Sequence, residues 1–213
     1  MIKINFLGDS ITEGAAASAP ENTFVSLVGQ KLNAEARNYG KGGTRLAKQI
    51  VPSETPAFDD YFLLRAKKMN HDADYIFVFG GINDFGHGDA PFGKIGDKTT
   101  DTFCGAVEEL CEFLLKHYPR ERITFIPPLH CHDETNPGGY DNQKADHPGK
   151  VLSEYYDALV KIVKNKNISI LDIREEFGPA HDNPNFSPDY LHPSDEGHRF
   201  IANQIVKYLK SII

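Results

Sequence analysis

Short apolar runs alternate with longer amphipathic stretches along the chain. Five runs have the length and the β-branched and aromatic content of buried strands, at residues 2–7, 36–39, 75–79, 123–126 and 168–173. The third run reads YIFVF and has no charged position, as expected for a central strand that is covered on both faces. Strands that alternate with helical patterns predict an α/β fold with a parallel sheet.

Apolar residues recur with helical spacing in five stretches between and after these runs. The stretches cover residues 24–32, 59–69, 103–115, 151–164 and 200–213. Right-handed crossover connections would place these helices on both faces of the sheet. The chain contains no repeat, low-complexity tract or linker, so we expect one domain over residues 1–213.

Two polar segments fit neither pattern. Residues 84–100 and 130–149 are rich in Gly, Pro, His and Asp, and each follows the end of a predicted strand. We expect loops there that overhang the carboxyl edge of the sheet, where open α/β folds bind their ligands. A ligand site is therefore expected beside these loops.

The composition is that of an ordinary globular protein, with 213 residues, of which 40% are hydrophobic and 25% charged. A formal net charge of −7 without a basic stripe argues against binding to nucleic acid or to anionic membranes. No apolar stretch approaches the roughly 20 residues of a membrane span, and the apolar start is too short for a signal peptide. The three cysteines, Cys104, Cys111 and Cys131, form no CxxC pair. We expect a cytoplasmic, reduced protein; the sequence leaves open whether a leader was removed and what the oligomeric state is.

Four short blocks could carry chemistry, and the first is GDSIT at residues 8–12, directly after the first predicted strand. A tight turn assisted by Gly8 would expose Ser10 at the carboxyl edge of the sheet. The block differs from the G-x-S-x-G elbow of α/β-hydrolases. Taken alone, a serine at this place is more commonly the N-cap of a helix.

The second and third blocks follow the next two predicted strands. Residues 38–44, NYGKGGT, supply glycines whose backbone can approach a ligand closely and direct an N–H group at it. A flexible turn would have the same composition, and the P-loop pattern is not met. Residues 80–84, GGIND, place the Asn83 amide where it could donate to a developing oxyanion, although an ordinary Asn-Asp turn has the same sequence.

The fourth block is DYLHP at residues 189–193, shortly before the last predicted helix. Asp189 and His192 are three positions apart and would lie on the same side of one turn. The carboxylate could then hold the imidazole Nδ1–H while Nε2 points towards a nucleophile, which is the arrangement that activates a serine. A surface pair near a helix start is the alternative.

Together and in this order, the four blocks resemble the SGNH (GDSL-type) hydrolase superfamily, which is named for Ser, Gly, Asn and His in separated blocks. The resemblance extends over nearly the whole chain, from residues 8–10 through 38–43 and 81–84 to 189–192. Residues 193–202 also resemble the beginning of the family's last helix. The resemblance implies a flavodoxin-like three-layer α/β/α sandwich around a five-stranded parallel sheet.

The resemblance also implies a reaction, the hydrolysis of carboxylic esters through an acyl-enzyme. Ser10 would be the nucleophile, His192 the general base and then acid, and Asp189 the residue that orients the imidazole. No metal or organic cofactor is required for this chemistry.

The resemblance also implies roles for the remaining motif residues. The oxyanion hole would consist of the Ser10 N–H, the Gly43 N–H and the Asn83 side chain. Asp9 and Asp84 would support the motif without taking part in the chemistry.

Two other functions fit parts of the pattern. A metal-dependent phosphoesterase also uses Gly-Asp, Asn-Asp and His motifs at strand ends, but residues 5–9 lack the Asp-x-His pair that it would need. A non-catalytic carbohydrate-binding protein on the same fold would not need the serine, the histidine and the aspartate together. We expect no metal site, because no recognised ligand spacing joins the other candidate ligands, which are His87, Asp89, His130, His132, Asp133 and His147. Arg45, beside the glycine block, would contact either the substrate or an acidic neighbour.

The loops expected around the site, residues 84–89 and 132–142, carry many hydrogen-bonding groups and few aromatic ones. Lipases that take long acyl chains need a broad apolar groove beside the nucleophile, whereas a few placed polar groups suit a polar ligand. We therefore expect a short acyl group, foremost acetyl, on a small molecule or a saccharide. A short-chain esterase without a sugar preference is the alternative.

Overall fold

Five parallel strands form the centre of the computed structural model, which describes residues 1–139 and 149–213. The strands are β1 (Lys3–Gly8), β2 (Glu35–Gly40), β3 (Tyr75–Phe79), β4 (Ile123–Ile126) and β5 (Ser169–Ile170). Their order in the sheet is β2-β1-β3-β4-β5, and every neighbouring pair is parallel. This is the strand order of flavodoxin-like folds, and the predicted fold class is confirmed.

Helices cover both faces of this sheet. They are α1 (Ser10–Glu13), α2 (Phe24–Leu32), α3 (Phe62–Ala66), α4 (Ile82–His87), α5 (Phe103–His117), α6 (Leu152–Asn165), α7 (Arg174–Phe177) and α8 (Asp195–Ile212). Ile76 and Val78 of β3 join an apolar cluster with α3, α5 and α6, while Phe77 and Phe79 join a second cluster with α2 and α8. Because β3 is buried on both faces, all five of its positions are apolar. None of the helices in the described part of the chain has the length and apolarity that a membrane span requires.

The structure moves several of the predicted boundaries. Helix α4 occupies the start of a segment that the pattern assigns to a loop, and Gly81, at φ 108°, lets the chain turn sharply from β3 into it. Helix α8 begins at Asp195 instead of residue 200, because the Ser194 hydroxyl caps it by accepting the Gly197 N–H at 3.3 Å. Strand β5 is only two residues long and pairs with β4 alone, at the edge of the sheet. Helix α3 covers five residues of the predicted 59–69.

The strand register brings three chain segments to one place. Gly8, the last residue of β1, pairs with Gly40 at the end of β2 and with Phe79 at the end of β3. The segments that follow these strands therefore start at the same level of the sheet. The strand order reverses between β1 and β3, and in open α/β folds such a switch point opens a crevice at the carboxyl edge. Residues 9–13, 41–44 and 80–84 follow the three strands at this edge of the sheet.

Candidate active site

Ser10, His192 and Asp189 form a continuous hydrogen-bonded series at the carboxyl edge of the sheet. The Ser10 Oγ lies 2.9 Å from His192 Nε2, and His192 Nδ1 lies 2.7 Å from Asp189 Oδ2. Because an ionised carboxylate only accepts hydrogen bonds, the neutral imidazole carries its proton on Nδ1 and leaves Nε2 to accept the Ser10 hydroxyl. In this tautomer the imidazole is placed to take the serine proton.

The Asp189 carboxylate is held in place by four donors. Its Oδ1 accepts the Ser187 hydroxyl at 2.6 Å and the backbone N–H groups of Leu191 and His192 at 2.9 Å each, while Oδ2 accepts from the His192 ring. Partial burial acts to raise the pKa of Asp189, but the hydrogen bonds from Ser187 and His192 outweigh it and hold the pKa well below its ordinary value. The group is therefore ionised at neutral pH and fixed in one orientation.

Asp9, and not Ser10, is the N-cap of α1. The Asp9 Oδ1 accepts the Ile11 N–H at 3.0 Å, and the residue is 1% exposed. The alternative reading of Ser10 as a helix cap is therefore wrong, and its side chain is directed to His192 instead. Burial raises the pKa of Asp9 to about 7, although the Ile11 N–H lowers it. A Cβ on Gly8 would lie 1.9 Å from the Thr12 Oγ1, so only glycine fits this turn.

The beginning of α8 is fastened to the segment that follows Ser10. The Asp195 carboxylate accepts the backbone N–H and the hydroxyl of Ser18 at 2.8 and 2.6 Å. The buried His198 ring accepts the Phe24 N–H at Nδ1, 3.3 Å away, and donates from Nε2 to the Ala15 carbonyl at 3.2 Å. Burial lowers the pKa of His198, in keeping with a neutral ring in this position. These bonds set the place from which His192 reaches Ser10.

The glycine block packs directly against the serine turn. A Cβ on Gly42 would lie 3.7 Å from the Ser10 Cβ, and the Gly42 N–H donates to Glu13 Oε2 at 2.8 Å. Gly43 has φ 70°, and a Cβ there would lie 2.4 Å from the Phe58 ring, so the block needs glycine at this position. Among the described residues the Ser10 and Gly43 N–H groups have no protein acceptor, which leaves both as donors for a ligand.

Two buried charged groups hold the glycine block in position. The Arg65 guanidinium, from α3, donates to the Thr44 Oγ1 at 2.8 Å and to the Tyr39 carbonyl. The Asp84 carboxylate, from α4, accepts the backbone N–H groups of residues 46–47 at 2.9 Å each. Burial raises the pKa of Asp84 to about 6, against the effect of those two N–H groups. Asp84 thus binds the backbone of the segment that directly follows the glycine block.

Asn83 joins the glycine block to α4. Its side chain is 3% exposed, and its Nδ2 donates to the Thr44 carbonyl at 3.0 Å. Its Oδ1 lies 3.1 Å from His87 Nε2. Arg45 is 2% exposed and donates to His87 Nδ1 at 2.5 Å and to the Ser53 hydroxyl at 3.2 Å. The sequence pattern did not connect His87 to Asn83, because it assigned residues 84–100 to a loop instead of a helix. It did not connect Arg45 to His87 because the two are 42 positions apart.

The remaining candidate metal ligands have other partners. His130 lies 2.9 Å from Glu134, Asp89 accepts the backbone N–H groups of residues 50–51, and the His132 ring lies 3.4 Å from the Asp133 carboxylate. Residues 140–148, with His147 and part of the second predicted loop, lie outside the described residues. Within the ranges that are described, no three His, Cys, Asp or Glu side chains are grouped so as to hold a metal ion.

Comparison with known proteins identifies the family of this chain. The model of the GDSL-like lipase/acylhydrolase family matches residues 6–200. The chain belongs to this family. The predicted resemblance is thereby confirmed, and the family is one of hydrolases. No curated protein matches the chain.

Several solved structures share the fold over almost the full length. A protein from Lactobacillus plantarum is 27% identical, with a TM-score of 0.81 and coverage of 100% of this chain and 98% of that one. The lipase/acylhydrolase from Enterococcus faecalis is 20% identical, with a TM-score of 0.65 and coverage of 99% and 96%. An acetyl xylan esterase is 18% identical, with a TM-score of 0.62 and coverage of 100% of both chains. At such identities the last two likenesses show the fold alone.

Proposed function

We propose that the protein is a serine esterase that hydrolyses short-chain acyl esters, foremost acetyl esters of saccharides. The observation that carries the proposal is the hydrogen-bonded series from Asp189 through His192 to the Ser10 hydroxyl. A serine is a weak nucleophile until an adjacent base takes its proton, and this series supplies both the base and the group that orients it.

In the proposed reaction the Ser10 Oγ attacks the ester carbonyl carbon while its proton passes to His192 Nε2. The carbonyl oxygen becomes an oxyanion and accepts hydrogen bonds from the Ser10 and Gly43 N–H groups and the Asn83 amide. The imidazolium then protonates the leaving alcohol, and an acyl-serine remains. Water repeats the sequence, so that the carboxylic acid leaves and Ser10 regains its proton. Each oxyanion donor typically contributes about 10²–10³ in kcat, or roughly 3–4 kcal/mol.

The described loops near the site support a short acyl group. Phe85, on the inner face of α4, and Leu129, just before the second loop, are fully buried in the core. Residues 132–136 instead present histidine, aspartate, threonine and asparagine at the surface. A polar rim of this kind offers hydrogen bonds to an alcohol with several hydroxyl groups and little apolar surface to a long acyl chain.

An aromatic side chain supports a saccharide as the alcohol. Tyr190, two positions before His192, is 38% exposed, and its ring centroid lies 4.7 Å from that of His181. Exposed aromatic faces beside hydrogen-bonding groups suit the alternating apolar and hydroxyl surfaces of a sugar ring. The acetyl xylan esterase that shares the fold acts, by its name, on such a substrate.

The first experiment is labelling with a fluorophosphonate, which reacts with activated serines. We expect the wild type to be labelled at Ser10 and the variants Ser10→Ala and His192→Ala to lose labelling and nearly all esterase activity with an unchanged thermal unfolding profile. When several residues act together in one proton transfer, removing one of them lowers kcat about as much as removing all of them. A Ser10→Ala variant that keeps more than about a tenth of the wild-type kcat would refute the proposal.

The substrate is tested by comparing kcat/KM for p-nitrophenyl acetate, p-nitrophenyl octanoate and acetylated xylo-oligosaccharides. We expect acetate to exceed octanoate and acetate to be released from the sugar. A kcat/KM tenfold higher for octanoate than for acetate would contradict the proposal of a short acyl chain. A higher kcat/KM for acetate, without release of acetate from the oligosaccharides, would contradict only the proposal that the alcohol is a saccharide. EDTA is expected to leave the rate unchanged; loss of activity that a divalent ion restores would favour a metal-dependent phosphoesterase.

A further inference from the structure

We propose that His87 is a positioning residue that aims the Asn83 amide at the oxyanion, and that Arg45 fixes the tautomer in which His87 does so. The inference rests on the proposed function, since it concerns the same oxyanion hole. The three side chains form a second hydrogen-bonded series in the site, from Arg45 through His87 to Asn83.

The chemistry of the guanidinium fixes the protonation of the imidazole. Arginine only donates hydrogen bonds, so His87 Nδ1, 2.5 Å from the Arg45 Nη2, must be the acceptor. A neutral imidazole then carries its proton on Nε2, and this N–H donates to the Asn83 Oδ1 at 3.1 Å. The same guanidinium nitrogen also donates to the His87 carbonyl at 3.1 Å, which holds the histidine by its backbone as well.

The orientation of the Asn83 amide is therefore determined at both of its ends. The His87 N–H requires an oxygen on one side, and the Thr44 carbonyl, which can only accept, requires the nitrogen on the other. With Oδ1 held by His87, the Nδ2 of the amide lies against the Thr44 carbonyl, at the end of the glycine block. A flipped amide would face two like groups at once, with donor against donor and acceptor against acceptor.

This series lies next to two donors of the proposed oxyanion hole, the Asn83 side chain and the Gly43 backbone N–H. Asn83 and His87 are four positions apart on α4 and therefore lie on the same helix face. Arg45 follows Gly43 by two positions. The Phe58 ring packs against Gly43, and its centroid lies 6.1 Å from that of the His87 ring. His87 thus sits where the loop that carries Gly43 meets the helix that carries Asn83. A change there alters the direction of a donor without removing it.

The test is a double-mutant cycle with Asn83→Ala and His87→Ala, measured as kcat and KM for p-nitrophenyl acetate. Loss of an oxyanion donor costs about 10²–10³ in kcat, so we expect His87→Ala to lower kcat by about tenfold, with KM changed less than about twofold. In the Asn83→Ala background the same substitution should change kcat by less than about twofold, because the amide that it aims is already absent. An equal loss in both backgrounds would overturn the proposal, since the effect would not pass through Asn83.

Two further variants separate positioning from general support of the loop. Ser53→Ala removes another hydrogen-bond partner of Arg45 and leaves the Asn83 series intact, so its kcat should match the wild type. His87→Gln offers both an acceptor and a donor, and it should recover part of the kcat that His87→Ala loses. If His87→Ala does not fold, as judged by thermal unfolding, His87→Gln takes its place in the cycle. A wild-type kcat for His87→Ala with normal labelling would overturn this inference alone, whereas a wild type that neither hydrolyses esters nor reacts with a fluorophosphonate would overturn the proposed function as well.

Discussion

The replacement Asp189→Asn tests the role of the carboxylate with little change in shape. The Oδ1 position of Asp189 faces two backbone N–H groups and the Ser187 hydroxyl. Because backbone N–H groups only donate, the single oxygen of an asparagine must occupy this position. Its NH₂ group then lies against His192 Nδ1, where the native carboxylate accepts a hydrogen bond.

The magnitude follows from the tautomer that this arrangement imposes. Facing an NH₂ donor, Nδ1 must accept, so the neutral imidazole carries its proton on Nε2 and can no longer take the proton of Ser10. In serine proteases the same substitution leaves the geometry intact and lowers kcat by about 10⁴. A loss of that size corresponds to about 5.5 kcal/mol in the activation barrier. The three hydrogen bonds to Oδ1 remain but no longer end on a charged oxygen, so we expect the free energy of unfolding to fall by about 1–2 kcal/mol.

The assay is the kcat for p-nitrophenyl acetate at neutral pH, with chemical denaturation of the same preparations. Ser187→Ala is the matched control, since it removes one donor to Oδ1 and leaves the tautomer of His192 unchanged. It should lower kcat by less than about tenfold. An Asp189→Asn variant that folds and keeps more than about a tenth of the wild-type kcat would refute this reasoning about the tautomer.

Two further predictions concern the groups that shape the site. Gly43→Ala should lower kcat and also lower the free energy of unfolding by about 1–2 kcal/mol or more, because φ 70° strains an L-residue and the new Cβ would lie 2.4 Å from the Phe58 ring. Chemical denaturation of Gly43→Ala, with and without Phe58→Ala, measures the two contributions. Full recovery of stability in the double variant would show that the backbone at residue 43 is unstrained. Burial raises the folded-state pKa of Asp9 to about 7, above its unfolded value, so ionisation of this group costs stability as pH rises from about 4 towards 7. Asp9→Asn should therefore gain stability relative to the wild type as pH rises, and equal Tm differences at pH 4.5 and 7.5 would contradict this assignment.

The features that the sequence predicts correctly are those that local patterns determine. The apolar run of β3 indicates a strand buried on both faces, and the two core clusters on either side of it show that burial. Asp189 and His192 are three positions apart, so a single turn is enough to bring their side chains to 2.7 Å. Glycine at positions 42 and 43 likewise indicates a backbone that approaches other segments closely: Gly42 lies against the Ser10 turn and Gly43 against the Phe58 ring.

The features that the sequence does not predict depend on contacts between distant segments. Helix α4 contains Gly86 and is followed by Gly88, which argues against a helix by propensity, but the burial of Ile82 and Phe85 in the core stabilises it. The sequence also does not determine which residue caps α1, because Asp9 and Ser10 are both good N-cap residues. The structure distinguishes them: Asp9 accepts the Ile11 N–H, and Ser10 contacts His192. The hydrogen bonds from Arg45 to His87 have no sequence signal at all.

Ser10 and His192 are 182 positions apart along the chain, so the proposed esterase activity requires that two distant parts of the sequence have folded together. Ser10 follows the first strand, while His192 is held by the start of α8, whose Asp195 and His198 are bound to the segment after the serine. During synthesis Ser10 would emerge from the ribosome 182 positions before His192, so the proposed nucleophile would precede its proposed base by that length of chain. The rate at which Ser10 reacts with a serine-directed probe would therefore report the docking of α8 against the segment that follows the serine, and it could be used to time this step of folding.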